Sequence, residues 1–355
     1  MANKVQYHHV VVNGTPYQAG QLQGESLKRA GRTLVSYEPP QPQQTAHKMR
    51  QLYNEYCPGL VEEIRGVADS LDMPFEKALF CAVIGPTLQG CTHAVALPSI
   101  TANQHLLVAR NYDMGLAEAD LRLCTTQIEG RFSHLGFSDM CFGRLDGINE
   151  HGLCVTLSAA WAQVPQDWQD PDGLHYAIAL RAALEQCKTI DEAVDLWQRM
   201  PIGSNGTFLV SDRAGNAACI EIAGRERAVK YIDANSDDQY LVSANHYAAL
   251  AFPDSLEHVP SPHSTRRCDL LASWLQDSRG QIAVHGLKAF LDRDWKTGVS
   301  GYSAEHQAGT LWSMVFDVTA GTVDIRFGPP PHNEWHSFAL GDPVDTHEYT
   351  VEFRQ

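Results

Sequence analysis

The apolar residues of this chain change their spacing near residue 91, and that change limits the fold more than any other feature. Before it they recur at helical intervals: Met49, Leu52, Tyr53 and Tyr56, then, past Pro58, Leu60, Ile64, Val67 and Leu71. After it, short runs rich in Val, Leu and Ile alternate with clusters of turn residues. THAVAL and HLLVARN flank a turn region, PSITANQ, and predict a β-hairpin. Further strands are predicted at GLCVTLSAA, TFLVSD, ACIEIA, YLVSAN, TLWSMVFDV and TVDIRFG. Tight connections such as DRAGN and DVTAGT imply antiparallel neighbours.

Helix signals fill the remainder. Pro16 can open a helix running to about Ala30, and EPPQPQQ (38–44) reads as a link. Asp72 is expected to cap a helix that has Pro74 near its first turn and runs through EKALFCAV. Later helices are predicted over about 174–187, from Thr189, where Glu192 completes a capping-box spacing, and over about 265–277. Antiparallel strands interleaved with helix pairs predict an α+β fold of layered sheets covered by helices. Two turn-rich loops, QVPQDWQDPDG and FPDSLEHVPSPHS, are candidates for pocket walls.

The chain of 355 residues can bury a large core in one domain or two. Its formal charge of -15 is spread without like-charge runs, so nothing resembles a basic footprint for nucleic acid or an anionic membrane. Nine scattered cysteines with no CxxC pair favour reduced thiols over a disulfide frame or a zinc site. The amino-terminal stretch MANKVQYHHVVVNGTP has too short an apolar run for a signal-peptide core, and no uncharged apolar stretch approaches the roughly 18 residues of a membrane span. A cytoplasmic protein is the expectation. His8 and His9 are adjacent on a predicted strand and so face opposite sides, which suits structural roles better than metal ligation.

Cys91 follows Gly90 at the start of the first strand of the hairpin. With the turn centred near Thr101, Cys91 would lie opposite about Asn111, bringing RNYD (110–113) alongside. Arg110 can then favour the thiolate, which is the nucleophilic form. Alternation sets Arg110 and Asp113 on opposite faces unless the strand ends between them, and it is expected to end there. A cysteine nucleophile needs a base. Either a histidine serves, or the α-amine of Cys91 does once a chain break frees it, since such an amine titrates near pH 7.7–8.0 unperturbed, about the working range of a base.

GCTHAVAL followed by LLVARNYDM resembles the nucleophile region of the N-terminal nucleophile hydrolases of the isopenicillin N acyltransferase type. These are related to the choloylglycine hydrolases and penicillin V acylases. The resemblance continues in order through YCPGLVEEIRGVADSLDM before it and GINEHGLCVTL, RAALEQCKTIDEAVDLW, SANHY, STRRCDLL and TLWSMVFDVTAGTVDIRFGPP after it, over about residues 14–330.

The resemblance implies a four-layer αββα sandwich of two antiparallel sheets. It also implies self-cleavage between Gly90 and Cys91, giving a pro-segment 1–90 and a catalytic segment 91–355. Cys91 would be the nucleophile and its α-amine the general base, with Asp113 holding the amine and Arg110 beside the thiolate. Asn245 would donate to the oxyanion, and Arg267, with Arg266 as the fallback, would stand near the site. The substrate would be a small acyl amide or acyl thioester, with no cofactor. At Leu157-Ser158-Ala159 the chain departs from the bile salt hydrolases, which have an asparagine there; this argues against a bile-salt specialist. Fragment 1–90 is expected to stay bound, because its helices carry apolar faces. Two alternatives remain: an uncut cysteine hydrolase with a histidine base such as His246, and a non-catalytic ligand-binding relative.

Overall fold

A computed structural model describes residues 3–34, 38–82, 90–117, 119–160, 164–170, 172–253, 260–342 and 345–354. The first ninety residues contain β1 (Asn3–Gly14), α1 (Pro16–Arg29), α2 (Pro42–Tyr56), α3 (Leu60–Ser70) and α4 (Phe75–Leu79). A run of strands follows: β2 (Thr92–Ala96), β3 (Leu107–Gly115), β4 (Arg122–Ile128), β5 (His134–Asp139), β6 (Gly143–Arg144), β7 (Asp146–Asn149) and β8 (Cys154–Ala159). Helices α5 (Tyr176–Gln186) and α6 (Ile190–Arg199) precede β9 (Gly206–Ser211), β10 (Ala217–Ala223), β11 (Glu226–Ile232) and β12 (Tyr240–Ser243). The chain ends with α7 (Pro262–Asp277), α8 (Val284–Leu291), β13 (Tyr302–Ser303), β14 (Ala308–Asp317), β15 (Thr322–Phe327), β16 (Trp335–Ala339) and β17 (His347–Phe353).

These strands form two sheets. One runs β11-β10-β9-β8-β7-β5-β4-β1-β17, and the other β12-β2-β3-β14-β15-β16. Helices α5 and α6 cover the first, α7 and α8 the second, and the two sheets face each other through β2, β8 and β9. This is the four-layer αββα sandwich. Side chains alternate between its layers: Val95, Val108 and Tyr112 enter the central core, while Ala94, Ala96, Leu107 and Ala109 pack with Leu271, Leu287 and Phe290 of α7 and α8.

Several helix starts follow their local chemistry. Thr15 and Gln18 form a reciprocal capping box with Pro16 in the first turn of α1. Thr189 accepts from the Glu192 N–H, but the Glu192 carboxylate takes the Lys188 N–H at 2.6 Å, so only half of the expected box forms. Two expectations fail near residues 40 and 72. The link expected over 38–44 is shorter, because Pro42 needs no N–H partner in a first turn and α2 begins there. Asp72 is no cap: it takes a left-handed turn at φ 52° after α3, and Pro74 becomes the N-cap of a five-residue α4. The end of EKALFCAV and parts of both long loops lie outside the described residues.

Residues 1–90 are built into the sandwich. β1 is an interior strand of the larger sheet, parallel to β4 on one side and antiparallel to β17 on the other. Helices α1 and α3 cross at two glycines: a Cβ on Gly20 would lie 2.0 Å from the Glu63 carbonyl oxygen, and one on Gly66 would lie 2.1 Å from that of Tyr17. Beneath that crossing, Arg181 of α5 donates to both Glu63 carboxylate oxygens at 2.8 and 2.6 Å and to Glu185 at 2.7 Å, all buried. Glu63→Ala removes two of the three bonds that Arg181 makes to carboxylates and leaves it only Glu185, so at about 1.5–3 kcal/mol for each charge-assisted bond the protein is expected to lose about 3–5 kcal/mol of stability. Urea unfolding measures this; an unchanged midpoint would place the anchoring of residues 1–90 elsewhere.

Candidate active site

Cys91 is buried and stands one residue before β2. In the β2–β3 hairpin Thr92 pairs with Asn111 and His93 with Arg110, so Cys91 comes opposite Tyr112, one residue beyond the expected partner. The connection includes a single 3-10 turn, Pro98–Ile100, tied by Thr101 to the carbonyls of Pro98 and His105, which moves the hairpin's centre past Thr101.

The expectation that β3 ends between Arg110 and Asp113 is not met. β3 continues to Gly115, and the irregularity lies instead on its neighbour β14, between Thr310 and Trp312. Arg110 and Asp113 therefore keep opposite faces, and each meets a different part of Cys91. Arg110 projects between the sheets, where its Nη1 donates to the Leu157 carbonyl and its Nε lies 2.9 Å from Asp146 Oδ2. Asp113 lies on the other side, over Gly90. The Gly90 N–H donates to the Asp113 carbonyl at 3.0 Å, and a Cβ added to Gly90 would be 3.2 Å from Asp113 Oδ2.

Asp113 Oδ1 accepts from Thr310 Oγ1 at 2.7 Å, whereas Oδ2 is buried with no hydrogen-bond donor among the described residues. Burial pushes the Asp113 carboxyl up to about 7, against Arg267, the Thr310 hydroxyl, Arg110 and the nearby Trp295 indole. That indole N–H favours the carboxylate by proximity but makes no well-aligned hydrogen bond. The Cys91 thiol is likewise pushed up by burial, opposed by Arg110 and Arg267 and reinforced by Asp113.

Asn245 and Arg267 meet at the other end of Cys91. Arg267 Nη1 donates to the Cys91 carbonyl and, at 2.7 Å, to Thr92 Oγ1; its Nη2 donates to Asn245 Oδ1 at 2.7 Å. Asn245 Nδ2 donates to the Ala159 carbonyl at 2.8 Å, and an amide nitrogen carries a second N–H. Ser264 Oγ accepts the Asn245 backbone N–H at 2.9 Å and lies 2.7 Å from His246 Nδ1. β12 stops at Ser243, so Asn245 and His246 lie beyond the strand, and the Asn245 backbone N–H and the His246 ring both meet Ser264 Oγ. Arg266 turns away, donating to the Trp295 and Lys296 carbonyls. Of the two arginines, Arg267 is the one at Cys91.

Five residues singled out by sequence thus come together. Four supporting residues carry no readable signal: Thr310, Asp146 and Trp295 lie far from Cys91 in the chain, and Thr92 gains its meaning only through Arg267. His93 shares the central face with Arg110 and is buried, with Nδ1 2.7 Å from Thr156 Oγ1. Burial, then Arg110 and Arg267, hold its imidazole far below the usual range, which makes it a poor proton acceptor. His9 contacts Thr125 Oγ1 and His8 lies 3.5 Å from Glu348, both far from the site in structural positions.

The arrangement offers a buried thiol under the electrostatic influence of two guanidinium groups, a buried carboxyl over Gly90 with one oxygen unsatisfied, and a fixed side-chain amide. It can activate a sulfur nucleophile and stabilise an oxyanion. The model of the acyl-coenzyme A:6-aminopenicillanic acid acyl-transferase family matches residues 100–332, more than half of the chain. The chain belongs to that family. The match takes in Arg110, Asp113, Asn245 and Arg267 and begins after Cys91. Membership supports an acyl-transferring or amide-hydrolysing enzyme with the N-terminal nucleophile hydrolase fold.

Among solved structures, the C2A mutant of conjugated bile acid hydrolase from Clostridium perfringens is similar at 13% identity, over 74% of this chain and 97% of that one, with a TM-score of 0.48. An N-acylethanolamine-hydrolyzing acid amidase ortholog from Caenorhabditis elegans is similar at 16% identity, over 64% and 93%, with a TM-score of 0.46. Penicillin V acylase from Agrobacterium tumefaciens is similar at 17% identity, over 69% and 85%, with a TM-score of 0.42. No curated protein matches. No helix among the described residues is long and apolar enough to cross a membrane.

Proposed function

We propose that this family member is a self-processing cysteine amidohydrolase or N-acyltransferase for small acyl amides or acyl thioesters, with Cys91 as nucleophile. One observation carries the proposal: Asp113 Oδ2 is buried without a donor and overlies Gly90, next to the Cys91 nitrogen. A buried carboxylate without a partner is costly. An α-ammonium on Cys91 would supply the missing donor and charge, and it exists only after the Gly90–Cys91 bond is cut.

In the uncut chain, Asp113 as its carboxylate accepts the thiol proton. Sγ adds to the Gly90 carbonyl, the C–N bond breaks, and the Cys91 nitrogen leaves protonated. Water then opens the Gly90 thioester, freeing the thiol and a Gly90 carboxylate. The Asp113 carboxyl titrates near 7, so the carboxylate form grows as pH rises through that value. Processing of freshly refolded chain is therefore expected to speed up from pH 6 to 8. Asp113→Asn should be slow and flat across the range, and a wild-type rate that falls with pH would remove Asp113 from this role.

In the cut protein the α-amine of Cys91 takes the thiol proton, since an amine of pKa about 8 is a competent base near neutrality. The thiolate attacks the acyl carbonyl, the second N–H of Asn245 steadies the oxyanion, and the α-ammonium returns its proton to the leaving amine. Water or an acceptor amine then takes the acyl group from sulfur. Burial and the two nearby arginines make His93, the residue two places after Cys91, a poor competitor as the base. Residues 1–90 stay bound after cutting, because β1 lies inside a sheet and Glu63 inside a buried ion pair. The test is mass analysis of processed protein mixed briefly with an acyl thioester. An acyl adduct on the fragment beginning at Cys91 is expected, and turnover without any adduct there would contradict the assignment.

A further inference from the structure

The strand ACIEIA carries a glutamate between two isoleucines, and the structure gives that carboxylate three backbone partners. Glu221 is buried within β10. A charge there is tolerable only when its oxygens are well bonded. Its Oε1 accepts the Ala248 N–H at 2.6 Å, and its Oε2 accepts those of Ala249 and Leu250 at 2.9 and 2.8 Å. Three consecutive donors thus converge on one side chain. Bonds to a carboxylate are about twice as strong as those between neutral groups. Ala248 and Ala249 are themselves exposed, so these bonds, and not packing of their side chains, hold that stretch.

The stretch leads directly from Asn245. β12, which ends at Ser243, lies in the smaller sheet beside β2, and the residues after it cross to the larger sheet. Ser243 Oγ lies 2.7 Å from Thr207 Oγ1 of β9, Asn245 Nδ2 donates to the Ala159 carbonyl of β8, and Tyr247 Oη donates to the Ile222 carbonyl of β10 at 2.6 Å. Each of these is a bond between neutral groups. Glu221 closes the series with its three charge-assisted bonds. Asn245 therefore stands partway along a bridge between the sheets, outside regular secondary structure, and Glu221 fixes the far end of that bridge. An oxyanion donor acts only from a fixed distance, so whatever holds its backbone bears on the rate.

We propose that Glu221 is a positioning residue for Asn245, holding the segment 243–250 so that the Asn245 amide keeps its place at Cys91. The inference rests on Asn245 as the oxyanion donor and deepens that reading.

The experiment is a double-mutant cycle on processed protein, with an N-acyl p-nitroanilide that wild type turns over. Glu221→Gln keeps the shape of the side chain but replaces one acceptor oxygen by a donor and removes the charge. It is expected to lower kcat about 10- to 100-fold, the scale on which a misplacement of about 1 Å is felt, with KM within about twofold of wild type. Added to Asn245→Ala, the same change should cost less than about threefold, because no amide remains to be misplaced. Both rates should stay above that of Cys91→Ala, so the missing loss is not a floor. Glu221→Gln with wild-type kcat, or a loss that multiplies fully with that of Asn245→Ala, overturns the inference. Should Glu221→Gln not fold, Glu221→Asp decides in the same cycle, since it keeps the charge but draws the carboxylate back by one methylene. A fall in kcat that vanishes beside Asn245→Ala supports the role, and a wild-type kcat or a fully multiplying loss overturns it. Failure of the underlying reading looks different, because Asn245→Ala alone would then leave kcat unchanged.

Discussion

Cys91→Ala is expected to lose essentially all turnover, by a factor on the order of 10⁴–10⁶, the scale on which removal of an enzyme's nucleophile is felt. The loss should be chemical. Exchanging a buried thiol for a methyl group removes about one atom from the core, which costs about 1 kcal/mol, so the variant should fold with a nearly unchanged unfolding midpoint. Arg110, Arg267 and Asp113 would keep their other contacts, since Arg267 donates to the backbone carbonyl of this residue. Steady-state rates on an acyl amide together with urea unfolding separate the two effects. Turnover within tenfold of wild type would remove Cys91 from the reaction.

The second large effect is expected at Asn245. Asn245→Ala should lower kcat by about 10²–10³-fold, as for loss of one oxyanion donor, with a smaller change in KM. Its side chain also accepts from Arg267 and donates to Ala159, so some loss of stability accompanies the change. Asn245→Asp distinguishes donation from mere placement. It keeps the acceptor for Arg267 but puts a carboxylate where an oxyanion must form, so it should be at least as slow as alanine. An aspartate variant much faster than alanine would mean that Asn245 only positions Arg267, and the donor would have to be sought elsewhere.

How far these residues are legible in the sequence follows from what holds each one. The hairpin carrying Cys91, Arg110 and Asp113 is a local structure with a strong alternating pattern, so its pairing is predicted to within one residue. Asn245 and Arg267 come from distant segments, and only the ordered resemblance to a family joins them to Cys91. Thr310 and Asp146 reach the site through strand pairing across the chain, for which no local pattern exists. The interior place of β1 is hidden for the same reason. HHVVV has the texture of any buried strand, and nothing in it announces a parallel partner at Arg122–Ile128. Helix α8 and strands β16 and β17 are absent from the expectations because they are short or partly exposed, with weak periodicity.

The expectation that β3 would end before Asp113 misjudged the geometry in an instructive way. A thiol and an α-amine leave the same cysteine in different directions. A guanidinium for one and a carboxylate for the other therefore belong on opposite faces of the neighbouring strand, which an unbroken β3 supplies. The register irregularity falls on β14, where it accompanies Thr310 under Asp113.

The central claim is that the bond between Gly90 and Cys91 is cut by the protein itself. Intact mass of purified wild type and of Cys91→Ala, both produced and held under the same conditions, tests it most directly. Two fragments meeting at Gly90 and Cys91 are expected for wild type, and one uncut chain for Cys91→Ala. A wild-type protein that turns over an acyl amide as a single uncut chain, or a Cys91→Ala protein that still splits at that bond, would contradict the account.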